Sequence, residues 1–273
     1  MPESQEVRLI AEAVNKKFAG RMMIRYGMDQ NSKFIKHPIA NIEWLKESWY
    51  LHSVYPYGKK VIFSLRRDTT EIYIVVSLGM EGKFLFESAK HSNFWFDFSV
   101  DNQNQENIER LYFDDSRHFG LIEIHTFDSF NKRKEKIGDD ITSNPSVQDF
   151  KSKITPRIKT KQVFSFLMNQ KYFSGLGAYL TAESLYFAKI SPLRELYTLN
   201  DLNIQVLLDA IKLVLKLSGE HGGLTIHSFY TAEGKTGKYP CRIYGKDKDP
   251  NGNKVEKVTI SSRTAHYCPA VQI

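Results

Sequence analysis

The sequence predicts an α+β fold, in which a β-sandwich carrying an N-terminal helix precedes a helical domain that ends in a hairpin. Three patterns support this. Apolar residues recur every three or four positions over residues 4–20. Short runs rich in β-branched and aromatic residues crowd between Val61 and Thr126. Helical periodicity then dominates residues 147–217, before a strand-like, glycine-marked end.

In the first helix, Val7, Ile10, Val14 and Phe18 share one face and Gly20 supplies a stop. Strands are expected over Val61–Leu65, Ile72–Leu78, Lys83–Phe86, Asn93–Val100, Arg110–Asp114 and Gly120–Thr126. Polar or glycine-containing turns separate them, a spacing that favours a sandwich or barrel over a parallel sheet with crossover helices. The polar segment 131–145 reads as a hinge. Beyond it, helices are expected over Val147–Ile154, Thr160–Met168, Ala178–Phe187 and Leu202–Leu217, the last with Ile204, Leu207, Leu208, Ile211 and Leu215 on one face. Gly234, Gly237, Gly245 and Gly252 mark turns in the final segment. The expected division is therefore 1–130, 131–145, 146–221 and 222–273.

At 273 residues the chain is long enough for two domains with a sizeable core. No run of about 20 apolar residues occurs, so no membrane span or membrane partner is expected. A charged-then-apolar leader is lacking and Cys241 and Cys268 make no disulfide framework, which points to a reducing, intracellular location. The net charge of +7 suits a polyanionic partner, and Lys151–Lys161 holds five basic residues and no acidic one. The eight histidines form no helical i, i+4 pair suited to a metal. His118, beside Arg117, suits a phosphate contact, whereas His227 and His266 read as ordinary polar residues.

The chemistry concentrates at the start, Met1-Pro2-Glu3-Ser4-Gln5-Glu6. Removal of Met1 would leave Pro2 as a free secondary amine, which can attack an electrophilic carbon and form an iminium, a covalent electron sink. Such an amine must be deprotonated, and the positive end of the helix that begins beside it favours the neutral form. Glu3 and Glu6 place two carboxylates near that amine. Both also favour the helix start.

Residues 169–183, Asn-Gln-Lys-Tyr-Phe-Ser-Gly-Leu-Gly-Ala-Tyr-Leu-Thr-Ala-Glu, resemble the helix–two-turn–helix segment of the Fpg/Nei family of DNA glycosylases. Tyr239-Pro240 through Tyr244-Gly245, and Ser262-Arg263-Thr264-Ala265-His266-Tyr267-Cys268-Pro269, look like that family's C-terminal finger. With the N-terminal signature, the resemblance runs essentially from end to end. It implies a bifunctional glycosylase/AP lyase of base excision repair. Pro2 would displace an oxidised base at C1′, and elimination on the 3′ and then the 5′ side would follow. Glu3 would be the catalytic carboxylate and Glu6 would hold the terminal geometry. Lys59 matches the family's β-domain lysine, with Lys60 leaving the register open by one; on the residues alone it is a solvated strand end.

A flipped base leaves a hole in the duplex that must be filled. The family uses three side chains, matched here by Met80, Arg117 and Phe119, of which Met80 and Phe119 would otherwise read as core. Asn169, Gly175 and Gly177 match the phosphate-binding turn, where glycines let backbone N–H groups approach at a helix start. Arg263 matches the phosphate-gripping arginine of the finger. Two departures stand out. Ala178 occupies the place of the family's asparagine after the turn. The positions of the two Cys-x-x-Cys pairs read Asn251-Gly252-Asn253-Lys254 and Cys268-Pro269-Ala270-Val271, one cysteine of four, too few for tetrahedral zinc.

That pattern implies the zincless finger of endonuclease VIII-like members, held by packing alone, with no metal or other cofactor. The implied partner is double-stranded DNA carrying oxidised bases or abasic sites, bound by a monomer, with single-stranded DNA a further candidate. The loop near Ser228–Tyr239 would cover the flipped base. The rival reading is a non-catalytic protein that binds damaged DNA on the same fold.

Overall fold

The computed structural model describes residues 1–101, 107–224 and 237–273. They form two compact units, Met1–Lys136 and Ile137–Leu224 with Lys238–Ile273. Most of the loop expected to cover a flipped base, and His227 with it, lies outside the described residues.

The first unit runs α1 (Ser4–Phe18), β1 (Met22–Met28), α2 (Lys33–Lys36), β2 (Trp49–Tyr57), β3 (Lys60–Arg67), β4 (Thr70–Ser77), β5 (Lys83–Leu85), β6 (Phe94–Ser99), β7 (Ile108–Asp114), β8 (Leu121–Thr126) and α3 (Phe127–Glu135). The eight strands follow the order β5-β7-β6-β1-β2-β3-β4-β8. β1 and β2 pair only at Met22↔Tyr50 and Met23↔Trp49. This short seam lets the two four-stranded halves fold face to face. Phe63 on β3 meets Phe84 on β5 and Phe96 on β6 across the interior, at ring-centroid distances of 5.4 and 5.6 Å. The sandwich is thus filled by interdigitating aromatic residues.

Helix α1 packs on β2 and β3, and the face anticipated from its periodicity, Val7, Ile10, Val14 and Phe18, is fully buried. Phe18 lies 4.5 Å from Phe98 between ring centroids, and the Val54 N–H donates to Asn15 Oδ1 at 2.7 Å. Strands β1 and β2 were not anticipated. Gly27 on β1 is required by close approach, since a Cβ there would sit 2.4 Å from the Trp95 ring. The expected hinge is also partly helical: its first residues complete α3, whose Phe130 stacks on Tyr73 at 4.3 Å, and the division between units falls between Lys136 and Ile137.

The second unit runs β9 (Asp139–Asp140), α4 (Val147–Ser152), α5 (Val163–Leu167), β10 (Phe173–Ser174), α6 (Ala178–Phe187), α7 (Asp201–Glu220), β11 (Glu256–Ile260) and β12 (Arg263–Tyr267). Phe150, Phe166, Tyr172 and Phe173 cluster between its shorter elements. On α7 the buried face is Ile204, Leu207, Leu208, Ile211 and Val214, with Leu215 half-buried beside it.

The finger does not rest on packing alone. Ile243, Val255 and Cys268 pack on Ala182 and Tyr186 of α6, but two buried carboxylates organise the surrounding backbone. Glu183 of α6 accepts N–H bonds from Arg242, Ile243 and Tyr244 at 2.8, 2.9 and 2.9 Å. Asp249 accepts the N–H groups of Asn251 and Asn253, the Asn253 amide and the Tyr186 hydroxyl. The Asn253 amide holds the Asp249 carboxyl below the usual range, against the opposing effect of burial. Cys268 Sγ lies 3.8 Å from Asp249 Oδ2, while Gln272 joins the Cys268 N–H to the Ile190 carbonyl. Where a zinc finger would present thiolates, these residues present N–H donors to a carboxylate. They do not fit a metal, and among the described residues no group of three or more His, Cys, Asp or Glu could hold one.

Glu183→Ala should therefore strand three backbone donors, each costing about 1–3 kcal/mol when buried and unsatisfied. Thermal unfolding is expected to show a loss of several kcal/mol, with Glu183→Gln intermediate, because its NH2 would face a donor. A chelator is expected to leave the melting temperature of the parent unchanged. One zinc per chain by elemental analysis would contradict this reading of the finger.

Candidate active site

The amino terminus is built into the start of α1. Pro2 and Glu3 are buried, and Glu6 has no exposed surface. The Glu3 N–H donates to Glu6 Oε2 at 3.0 Å, part of a capping box that satisfies the first helical donors. Burial is the strongest influence on the Met1 amine and lowers its pKa. Glu3, Glu6 and Glu81 oppose that shift, whereas Lys59 reinforces it. Removing Met1 would transfer this environment to Pro2, whose nitrogen is otherwise in a peptide bond.

Lys59 occupies the two-residue turn between β2 and β3, after Gly58 at φ 57°, where a tight hairpin favours glycine at its first position. Lys59 acts on the amino terminus, while burial lowers the pKa of Lys60, whose charged neighbours are Glu123 on β8 and Arg133 on α3.

Two further loops meet beside this terminus. Gly79, at φ 63°, lies so close to the next loop that a Cβ would stand 2.6 Å from the Phe119 carbonyl carbon. Half-buried Met80 follows it. Glu81 then accepts from Ser116 Oγ at 2.7 Å and pairs with Arg117 at 3.8 Å. The Arg117 guanidinium lies 5.0 Å from the centroid of the Phe119 ring, and Phe119 is 55% exposed, unusual for a phenylalanine. In the first unit, Lys59 and Glu81 thus act electrostatically on the terminus that holds Pro2, Glu3 and Glu6, while Glu81 pairs with Arg117, whose guanidinium lies over Phe119, and Met80 sits beside Glu81 in the chain. Sequence reasoning missed Glu81, which links the terminus to the Arg117 loop. Its position between Gly79-Met80 and Gly82 was the available signal.

In the second unit, Asn169 Oδ1 accepts the Lys171 N–H at 3.0 Å. Gln170, also overlooked as a site residue, laces the turn: its amide donates to the Leu176 carbonyl at 2.8 Å and its Oε1 accepts the Gly175 N–H at 3.0 Å. Gly175 has φ 107°, and Gly177 is the N-cap of α6. Both are buried, and Ala178 is half-buried at the first helical position. An anion approaching this helix start would meet the positive end of its dipole. Arg263 is exposed at the start of β12, a strand that packs on α6. The turn before it, Ser261-Ser262, has φ values of 48 and 65°. Such left-handed backbone costs L-residues about 1–2 kcal/mol each, and Ser165 Oγ braces it 3.0 Å from Ser261 Oγ.

Two sequence models match this chain: the formamidopyrimidine-DNA glycosylase N-terminal domain over residues 1–122, and the formamidopyrimidine-DNA glycosylase H2TH domain over residues 137–230. The formamidopyrimidine-DNA glycosylase of Lactococcus lactis subsp. lactis is 28% identical over 288 residues, covering 100% of this chain and 99% of its own. That of Listeria innocua is 26% identical over 285 residues, with 100% of each covered. Lactococcus lactis Fpg bound to abasic-site DNA superposes with a TM-score of 0.82 at 26% identity, covering 99% of both chains. The same protein with oxidised-pyrimidine DNA gives 0.81, also at 26% identity and 99% coverage of each. With both of its domains matched in order and its architecture shared from end to end, the chain belongs to the Fpg/Nei family of DNA glycosylases.

Proposed function

We propose that this chain is a bifunctional DNA glycosylase/AP lyase of base excision repair, of the endonuclease VIII-like, zincless-finger type. The observation that carries this is the start of α1, where Pro2, Glu3 and Glu6 are buried together and burial, reinforced by Lys59, lowers the pKa of the Met1 amine. With Met1 removed, the Pro2 nitrogen attacks C1′ of the damaged nucleoside, and the bond from C1′ to the base breaks. Charge develops on the ring oxygen as the sugar opens, and Glu3 supplies a proton there. The resulting iminium draws electrons from C2′, so loss of a C2′ proton expels the 3′ phosphate, and a second elimination expels the 5′ phosphate.

Met80, Arg117 and Phe119 enter the duplex as a wedge while the base is out of the stack. Asn169, Gly175, Gly177 and Arg263 hold the phosphate backbone. The partner is damaged double-stranded DNA, in keeping with the abasic-site and oxidised-pyrimidine DNA bound by Lactococcus lactis Fpg. The protein acts as a monomer associated with DNA. A non-catalytic damage-binding protein would need no activated amine, so trapping separates the two readings.

Borohydride is expected to trap a covalent complex between Pro2 and abasic-site DNA, with the crosslink on the terminal peptide. A crosslink on Lys59 or Lys60 would overturn the assignment. No trapping with Met1 removed would favour the binding protein. Glu3→Gln should reduce base removal by roughly 10²-fold or more, as loss of a general acid does, and spare lyase action on a preformed abasic site.

Ala178→Asn restores the family residue and should add a charge-assisted hydrogen bond to phosphate, typically about 1.5–3 kcal/mol. Binding should tighten about equally for all lesions, because phosphate contacts carry no base information. Arg263→Ala should weaken binding and flatten its salt dependence. Unchanged affinity in Ala178→Asn, measured alongside a weakened Arg263→Ala, would remove the phosphate role from residues 169–183.

A further inference from the structure

Lys33 begins the short helix α2, which is fastened to the sandwich by buried Phe34, edge-on to Phe94 at 5.5 Å. Its ammonium crosses to the loop that carries Arg117 and Phe119. There it donates to the His118 carbonyl at 2.7 Å and to the Gly120 carbonyl. Asp115 Oδ2 stands 3.9 Å from the same nitrogen and also accepts the Gly120 N–H at 2.7 Å. The Lys33 and Asp115 side chains are only 16 and 7% exposed. The two carbonyls bracket Phe119, and His118 between Arg117 and Phe119 holds left-handed backbone at φ 57°. One ammonium thus closes the turn from which Phe119 projects into solvent with Arg117 against its ring.

Resting on the proposed glycosylase reading, we propose that Lys33 is a positioning residue for the duplex wedge, holding residues 115–120 so that Arg117 and Phe119 are presented in one fixed geometry. Apolar side chains cannot replace it. They would leave the two carbonyls without their shared donor and Asp115 without its cation, and the left-handed turn at His118 would relax. Burial lowers the Lys33 pKa while Asp115 opposes the shift, so the carboxylate helps keep the latch charged. Lys33 touches no reacting atom in this scheme. Its effect is therefore confined to steps that require the base to leave the stack and the hole to be filled.

The test compares two reactions of the full chain with Met1 removed: excision of an oxidised pyrimidine from duplex DNA, and strand cleavage at an abasic site in single-stranded DNA. Only the first needs the wedge. Lys33→Met should lower duplex excision by roughly tenfold or more, as misplacement of a positioning group does, and leave single-strand cleavage unchanged. Lys33→Arg, which keeps a cation and donors, should recover most of the loss. Asp115→Asn, which keeps an acceptor for the Gly120 N–H, should give a smaller loss of the same selectivity. Equal losses in both reactions would reduce Lys33 to a structural role and overturn the proposal, as would full duplex excision by Lys33→Met. A parent protein inactive in both reactions would instead overturn the glycosylase reading, an outcome readable without any variant.

Discussion

The burial of Pro2, Glu3 and Glu6 at the start of α1 is the constraint on which the proposed site depends. An amine that must attack carbon is useful only when it is unprotonated and fixed in place. In the proposed scheme both conditions would come from the packing of α1. Its apolar face is sealed into the sandwich, and Pro2 and Glu3 just before it are buried, unlike most chain ends. The capping box between Glu3 and Glu6 sets the direction in which the chain enters the helix. Lys59, carried on a rigid hairpin, adds a positive charge that opposes protonation, while Glu3, Glu6 and Glu81 limit how far the shift goes. The terminal amine and these charged residues thereby share one electrostatic neighbourhood.

The loops extend this order outward. Glu81 contributes to the field at the terminus and also pairs with Arg117, so the amine and the exposed Arg117–Phe119 pair share a charged residue. In the second unit the same economy of means appears in the finger. Glu183 gathers three backbone donors and Asp249 organises the turn at Asn251–Asn253. A carboxylate acceptor can do this provided each of its partners is present.

Much of this was legible in the sequence, for identifiable reasons. Helix α1 and the strands from Val61 onward have strong periodicity and a clean apolar face. β1 and β2 were hidden because Met22–Met28 contains Arg25 and Gly27, and β2 contains Pro56; their placement is imposed by partners such as Trp95, not by local preference. Pro2, Glu3 and Glu6 were recognisable as candidates because the chemistry proposed for them depends on position in the chain. Glu81, Lys33 and Asp115 were not, since their contacts join loops far apart in sequence. The hairpin itself is as expected, and only its support by packing alone is corrected, because counting cysteines says what a metal site lacks and nothing about what holds the backbone instead.

The central claim is that the fold makes the terminal amine a nucleophile, and titration of the Pro2 nitrogen tests it most directly. In the chain with Met1 removed, nitrogen-15 labelled at proline, the account predicts a pKa below that of a prolyl amine at the end of an unstructured peptide. Because Lys59 disfavours the protonated form, Lys59→Met should move that value upward. A Pro2 pKa equal to the peptide's, and indifferent to Lys59→Met, would contradict the account.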